Sequence, residues 1–111
     1  MVAWLLREGE VLASLEVLDS VPSRMKGLIG RDRVDCAVLL PRTRAIHTVG
    51  MRFPIDVAFC TSDMKVVATI TNVRPLRLSM PRLKASCVIE AEAGSFGRWG
   101  LRAGDQLEVK G

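Results

Sequence analysis

The chain has one histidine, His47, and nine residues after it stands Asp56. Imidazole changes charge near neutral pH and is the commonest general acid or base. A carboxylate holding its second ring nitrogen completes a dyad, so His47 and Asp56 are the candidate catalytic residues. Pro54 imposes an extended or bent entry between them. The competing reading treats Asp56, set among Ile55, Val57 and Ala58, as a shielded carboxylate that fixes loop backbone. On that reading it is held by the amides of residues 49–52, or pairs with Arg52 or Arg24, because a buried charge persists only when bonded or paired. No nucleophile or metal ligand accompanies the pair, which favours the structural role. Glu90 and Glu92 share one alternating face and could act as paired acids. The simpler expectation is a solvated Glu92 and a Glu90 paired with an arginine. The candidate ligand-binding set is therefore Arg24, His47, Met51, Arg52, Asp56 and Glu90, with charge added by Arg24 or Arg31.

Other chemistries lack their residues. There is no G-x-S-x-G, and Gly27 and Gly30 are too sparse for a phosphate-cradling loop. Cys36, Cys60 and Cys87 are widely spaced with no C-x-x-C pair. A zinc site joining them to His47 would lack a local ligand pair, so they read as small buried hydrophobes. No metal and no cofactor are expected.

Net charge is +4 and unevenly spread: the stretch 24–84 holds twelve bases against four acids, whereas the two ends are acidic. Arg outnumbers Lys twelve to four, and its planar fork suits carboxylates and phosphates. A solvated basic surface is the plain reading; an anion-binding face is the sharper one. Nucleic-acid binding calls for aromatics interleaved with the bases. Between 24 and 84 the aromatics are Phe53 and Phe59, both core-like, which argues against it. The apolar runs are short, such as Val2 to Leu6, six residues with Met1 included, too short for a membrane span or a secretory core. The expectation is a cytoplasmic protein with a small-molecule or protein partner and no membrane partner.

The elements that must position these residues are short. At 111 residues the chain makes one domain, 1–111. Strands are expected at 2–6, 11–18, 37–40, 45–49, 55–60, 65–73, 86–93 and 106–109, with turn residues between them. The segments 55–60 and 65–73 should form a hairpin. Ser20 or Ser23 can cap a helix running to about Ile29, closed by Gly30, and Ser95 can cap one turn ending at Gly100. Residues 74–84, with Pro75 and Pro81, form a surface loop. No 10–15-residue amphipathic helix separates the strands, which removes an α/β fold. The fold class is mainly β: a compact antiparallel barrel or sandwich with one or two short helices.

Three segments carry a resemblance. Arg24-Met25-Lys26-Gly27-Leu28-Ile29-Gly30-Arg31 is similar to R-x-x-G-L-M-x-R. His47 to Phe59 is similar to H-T-x-x-M-R-x-P-I-D-x-x-F. Val88 to Gly94, followed by Gly100 to Asp105, is similar to a closing motif. Together, over about residues 12–110, they resemble the prokaryotic family numbered 192 among the domains of unknown function. The resemblance implies a compact, mostly β domain with short helices, and no established activity, cofactor or partner. Ile29 departs from the family's Met, and 61–64 lacks its Asp-Gly turn pair. The leading expectation is a ligand- or partner-binding module with its site near the His47–Asp56 loop. The alternatives are a small enzyme using His47 as acid or base with Asp56 orienting it, and a basic anion- or nucleic-acid-binding module.

Overall fold

Alternation in the central strands differs from that of a sheet with one wet face: apolar side chains point both ways, so both faces must be covered. A computed structural model, which describes residues 3–111, shows how. Seven strands, β1 (Ala3–Arg7), β2 (Glu10–Val17), β3 (Ala37–Pro41), β4 (Ile55–Cys60), β5 (Val66–Val73), β6 (Cys87–Glu92) and β7 (Leu107–Lys110), form one sheet in the order β5-β4-β6-β3-β2-β1-β7. The helices are α1 (Val21–Lys26) and α2 (Ser95–Trp99). The sheet curls into a half-barrel whose edges approach each other: the Val66 amide donates to the Asp105 carbonyl (2.8 Å) and the Leu107 amide to the Met64 carbonyl (2.9 Å). Such closure protects edge strands from pairing with other chains.

All pairings are antiparallel except β2 with β3. The chain returns through α1 and residues 27–36 before entering β3, and a crossover of that kind yields a parallel pair. The expected mainly β domain with short helices is what forms, with this one parallel step in it. The expected hairpin of 55–60 with 65–73 is β4–β5.

The two faces carry separate cores. Leu5, Leu15, Leu39, Ala58, Cys60, Ile89, Ala91 and Leu107 line the face that α2 covers with Phe96. Val38, Leu40, Ile55, Val57, Phe59 and Val88 line the other, covered by Leu28 after α1 and by Ile46 and Met51. Burying both faces explains why β4 is buried along its whole length and why its sequence reads as a continuous apolar run broken only by Asp56.

Three local expectations differ from the structure. Residues 45–49 are not a strand; they make a single bridge, His47 with Leu78, because Thr48 anchors them to an irregular loop instead of a strand. Helix α1 ends at Gly27, not Gly30. Gly27 has φ 51° and ψ −123°, a conformation almost restricted to glycine, and its amide donates back to the Ser23 carbonyl (2.8 Å). Ser20 does cap α1, accepting from the Ser23 amide at 3.2 Å. Helix α2 takes no cap from Ser95, whose Oγ accepts from Arg98 (3.2 Å); the cap comes from another strand.

Candidate functional site

That cap is Asp56. It alternates with Ile55 and Val57, so its carboxylate points to the α2 face. There it accepts three backbone amides: Asn72 (2.8 Å), Gly94 (3.0 Å) and Phe96 (3.0 Å). The pairing of β4 with β5 slips between Ile55 and Val57, leaving Thr71 and Asn72 opposite Asp56. Asn72 takes φ 54° in this bulge, and the carboxylate holds its amide. Asp56 thus ties the bulge to the start of α2. The structural role is the one it plays, but its partners are not the amides of 49–52, Arg52 or Arg24. Nor is it set to orient His47, which belongs to the loop over the opposite face.

On that opposite face lies a cavity of about 310 Å³ lined by Arg24, Gly27, Leu28, Leu40, Arg42, Ile46, His47, Met51 and Glu90, among others. Glu90 is its polar floor. It stands on β6 in register with Val38 of β3 and Val57 of β4, both fully buried, and is itself only 4% exposed. Among the described residues no group hydrogen-bonds or ion-pairs with its carboxyl, which corrects the expectation of an arginine partner. No side-chain oxygen of the described residues is both fully enclosed and unbonded, so the Glu90 oxygens keep a small access through the cavity. Burial among aliphatic neighbours pushes this carboxyl up to about 7, because removing water penalises the charged form. Gly27 closes over it: a Cβ there would sit 3.4 Å from Glu90 Oε1.

The mouth is basic. Arg24 Nη1 donates to the Pro41 carbonyl (3.0 Å), and Arg24 has no carboxylate partner among the described residues. Arg42 is bound to Asp19 (3.0 Å), so its charge is partly spent. His47 is exposed at the rim. Val21, Met25, Leu28, Leu40, Ile46 and Met51 form the apolar wall.

The structure therefore brings together four of the six sequence candidates, Arg24, His47, Met51 and Glu90, and separates two. Arg52 forms an exposed ion pair with Asp32 (2.6 Å), and Asp56 is committed to backbone amides on the other face. Arg31 is also drawn away, into a two-pronged pair with Glu16 (2.9 and 3.1 Å) that lowers the Glu16 pKa.

Thr48 went unrecognised. It is fully buried, and its hydroxyl donates to the Arg74 carbonyl (2.6 Å) and accepts from the Arg77 amide (2.8 Å), holding Ile46, His47 and Met51 in place. Its signal was the fixed Thr that follows His in the motif H-T-x-x-M-R-x-P-I-D-x-x-F, which residue type alone gave no role. Cys60 and Cys87 are buried and paired across β4 and β6 on the α2 face. The neighbouring Cys87 thiol, and then desolvation, push Cys60 up. Cys36 is half-buried. No group of three His, Cys, Asp or Glu side chains able to hold a metal occurs among the described residues.

Comparison with known proteins places this geometry. A UPF0127 protein of Pyrococcus furiosus is 31% identical over 104 residues, 89% of each chain. Two solved structures share the fold. One is a protein of unknown function from Novosphingobium aromaticivorans (TM-score 0.79, 19% identity, 97% of this chain and 84% of that one). The other, from Sinorhizobium meliloti, is described as a "putative transcription regulator" (TM-score 0.81, 22% identity, 97% and 92%). The model of the family DUF192, described as "Uncharacterized ACR, COG1430", matches residues 4–109. With nearly the whole chain matched and a relative above 30% identity, this protein belongs to the DUF192 family.

Proposed function

We propose that the protein is a small-molecule-binding domain whose ligand occupies the cavity between α1 and the sheet face opposite α2. The supporting observation is Glu90, a carboxyl with no partner among the described residues at the floor of an apolar cavity. The Glu90 oxygens keep access only through the cavity, so a ligand that fills it must itself donate a hydrogen bond to Glu90, since leaving the carboxyl unbonded would cost about 1–3 kcal/mol. The wall favours an apolar body, and Arg24 with His47 at the mouth favours an anionic outer end. The ligand class is thus a short amphiphile with a hydrogen-bond donor at one end and an acid group at the other.

A matched series tests this: 6-aminohexanoate, hexanoate and hexylamine, titrated against backbone amide NMR signals. Shifts at Gly27, Leu40, Ile46 and Met51 should appear at lower concentration with 6-aminohexanoate than with either single-ended probe, and Glu90→Gln should abolish the difference. No shifts at these amides with any probe at about 10 mM would defeat the reading.

Catalysis is the second reading, and its centre moves from His47–Asp56 to Glu90. A carboxyl pushed to about 7 is matched to proton transfer at neutral pH. Turnover of a bound ligand that Glu90→Gln stops without stopping binding would favour it. DNA binding has less support. Helices α1 and α2 span six and five residues, Phe59 is buried, and the Sinorhizobium protein, at 22% identity, speaks for the fold alone.

A further inference from the structure

The loop between β5 and β6 presents four large apolar side chains to water within eight residues: Leu76 (70% exposed), Leu78 (79%), Met80 (80%) and Leu83 (82%). Such a cluster on a soluble surface marks a contact site. Interleaved with it are Arg74, Arg77, Arg82 and Lys84, and the sequence has no acid between Asp63 and Glu90.

The presentation is built into the fold. Buried Thr48 grips the loop at Arg74, Leu76 and Arg77. The Ser79 amide donates to the Ile46 carbonyl (3.0 Å), and the Ile46 amide donates to Ser79 Oγ (2.8 Å). Further along, the Arg82 amide donates to the Arg44 carbonyl (2.9 Å), and the Arg82 guanidinium lies 5.4 Å from the centre of the Phe59 ring. Leu76 is held at φ 64°, a backbone state uncommon for leucine. A backbone fixed at this many points holds its apolar side chains outward.

We propose that this loop docks the protein onto an anionic lipid surface, its apolar side chains entering the interface and its bases meeting the headgroups. The site needs a partner that offers apolar depth directly beneath negative charge, which is the profile of such a surface. Protein interface cores also favour methionine and arginine, but they are built on aromatic anchors and depleted of lysine, and this patch has Lys84 and no aromatic residue. A second copy meeting it across a two-fold axis would set one basic loop against another. The expectation of no membrane partner came from the missing spans. It does not bear on a loop that lies on a bilayer, and no helix of the described residues is long and apolar enough to cross one.

Co-sedimentation tests this with vesicles of phosphatidylcholine alone or mixed with phosphatidylserine. The full chain is compared with Leu78→Ser/Met80→Ser/Leu83→Ser and with Arg77→Ser/Lys84→Ser. All five side chains are exposed, so both variants should melt like wild type. Wild type should sediment with the anionic vesicles and not with the neutral ones, and less so as salt rises. Each variant should bind about tenfold more weakly or worse. Three results each overturn the proposal: no sedimentation with anionic vesicles, undiminished binding by the apolar variant, or a wild-type dimer that the serine variant dissociates. The last would make the patch an interface between copies.

Discussion

Asp56 and Glu90 are both buried carboxyls on adjacent, paired strands, and they have opposite fates. Asp56 receives three amide hydrogen bonds on the α2 face, and every bond it makes holds structure. Glu90 points to the other face and receives none among the described residues, while its burial pushes its pKa up to about 7. A fold places a carboxylate like Asp56 to tie a bulge to a helix. It has no structural use for one like Glu90, where valine would match its cross-strand neighbours Val38 and Val57. The contrast separates a buried acid that builds the protein from one that faces a cavity.

The contrast breaks most sharply at Asp56. Asp56→Ala strands three amides and should cost about 3–5 kcal/mol, since each stranded donor costs about 1–3 and some regain water. Asp56→Asn keeps one acceptor and should cost about 1–3 kcal/mol. Urea unfolding of both checks this, and near-wild-type stability for the alanine variant would contradict the structural role.

Glu90→Gln should act in the opposite direction, and only above a certain pH. The folded-state pKa of Glu90 is raised from 4.5 to about 7, so the folded state holds the proton more tightly. Its favourable contribution is fully present below pH 4.5 and is lost as pH rises through 7, a loss of about 3 kcal/mol. The Gln variant should therefore match wild type near pH 4 and exceed it by up to that amount near pH 8. Chemical denaturation at both pH values measures the difference, and a gap independent of pH would show that folding leaves the Glu90 pKa unshifted.

Gly27→Ala sharpens the comparison at the cavity. Its φ of 51° and ψ of −123° admit glycine and strain alanine, with an expected loss of about 2 kcal/mol. The added methyl also meets Glu90 Oε1, so binding of 6-aminohexanoate should weaken as well. Unchanged melting would mean that α1 ends differently in solution.

The smallest effect is expected at the rim. His47→Ala removes an exposed side chain and should change stability by less than about 0.5 kcal/mol. A loss above about 2 kcal/mol in thermal melts would assign His47 to packing and remove it from the site.

Much of this was legible in residue order. Alternating apolar residues, Gly and Pro turns and the absence of long helices specified short strands, because a two-residue period and local turn chemistry act over a few neighbours. The hairpin β4–β5 followed from the same signals, and so did the structural role of Asp56, since a carboxylate among Ile55, Val57 and Ala58 must be satisfied. Arg24, His47, Met51 and Glu90 were also singled out by residue type. The partners were not legible. Asp56 is held by amides 16, 38 and 40 residues away, a proximity that only strand order creates. The face on which each acid lies was decided the same way. Alternation says that Asp56 and Val57 point oppositely, but only the curl of the sheet puts α2 on one side and α1 with the His47 loop on the other. The irregular course of 45–49 depends on Thr48 meeting residues 74–77, a long-range contact that overrode local strand preference. Sequence thus determined which groups had to be buried and which turns had to form. Tertiary structure alone decided which buried acid would be satisfied by backbone and which would be left facing a cavity.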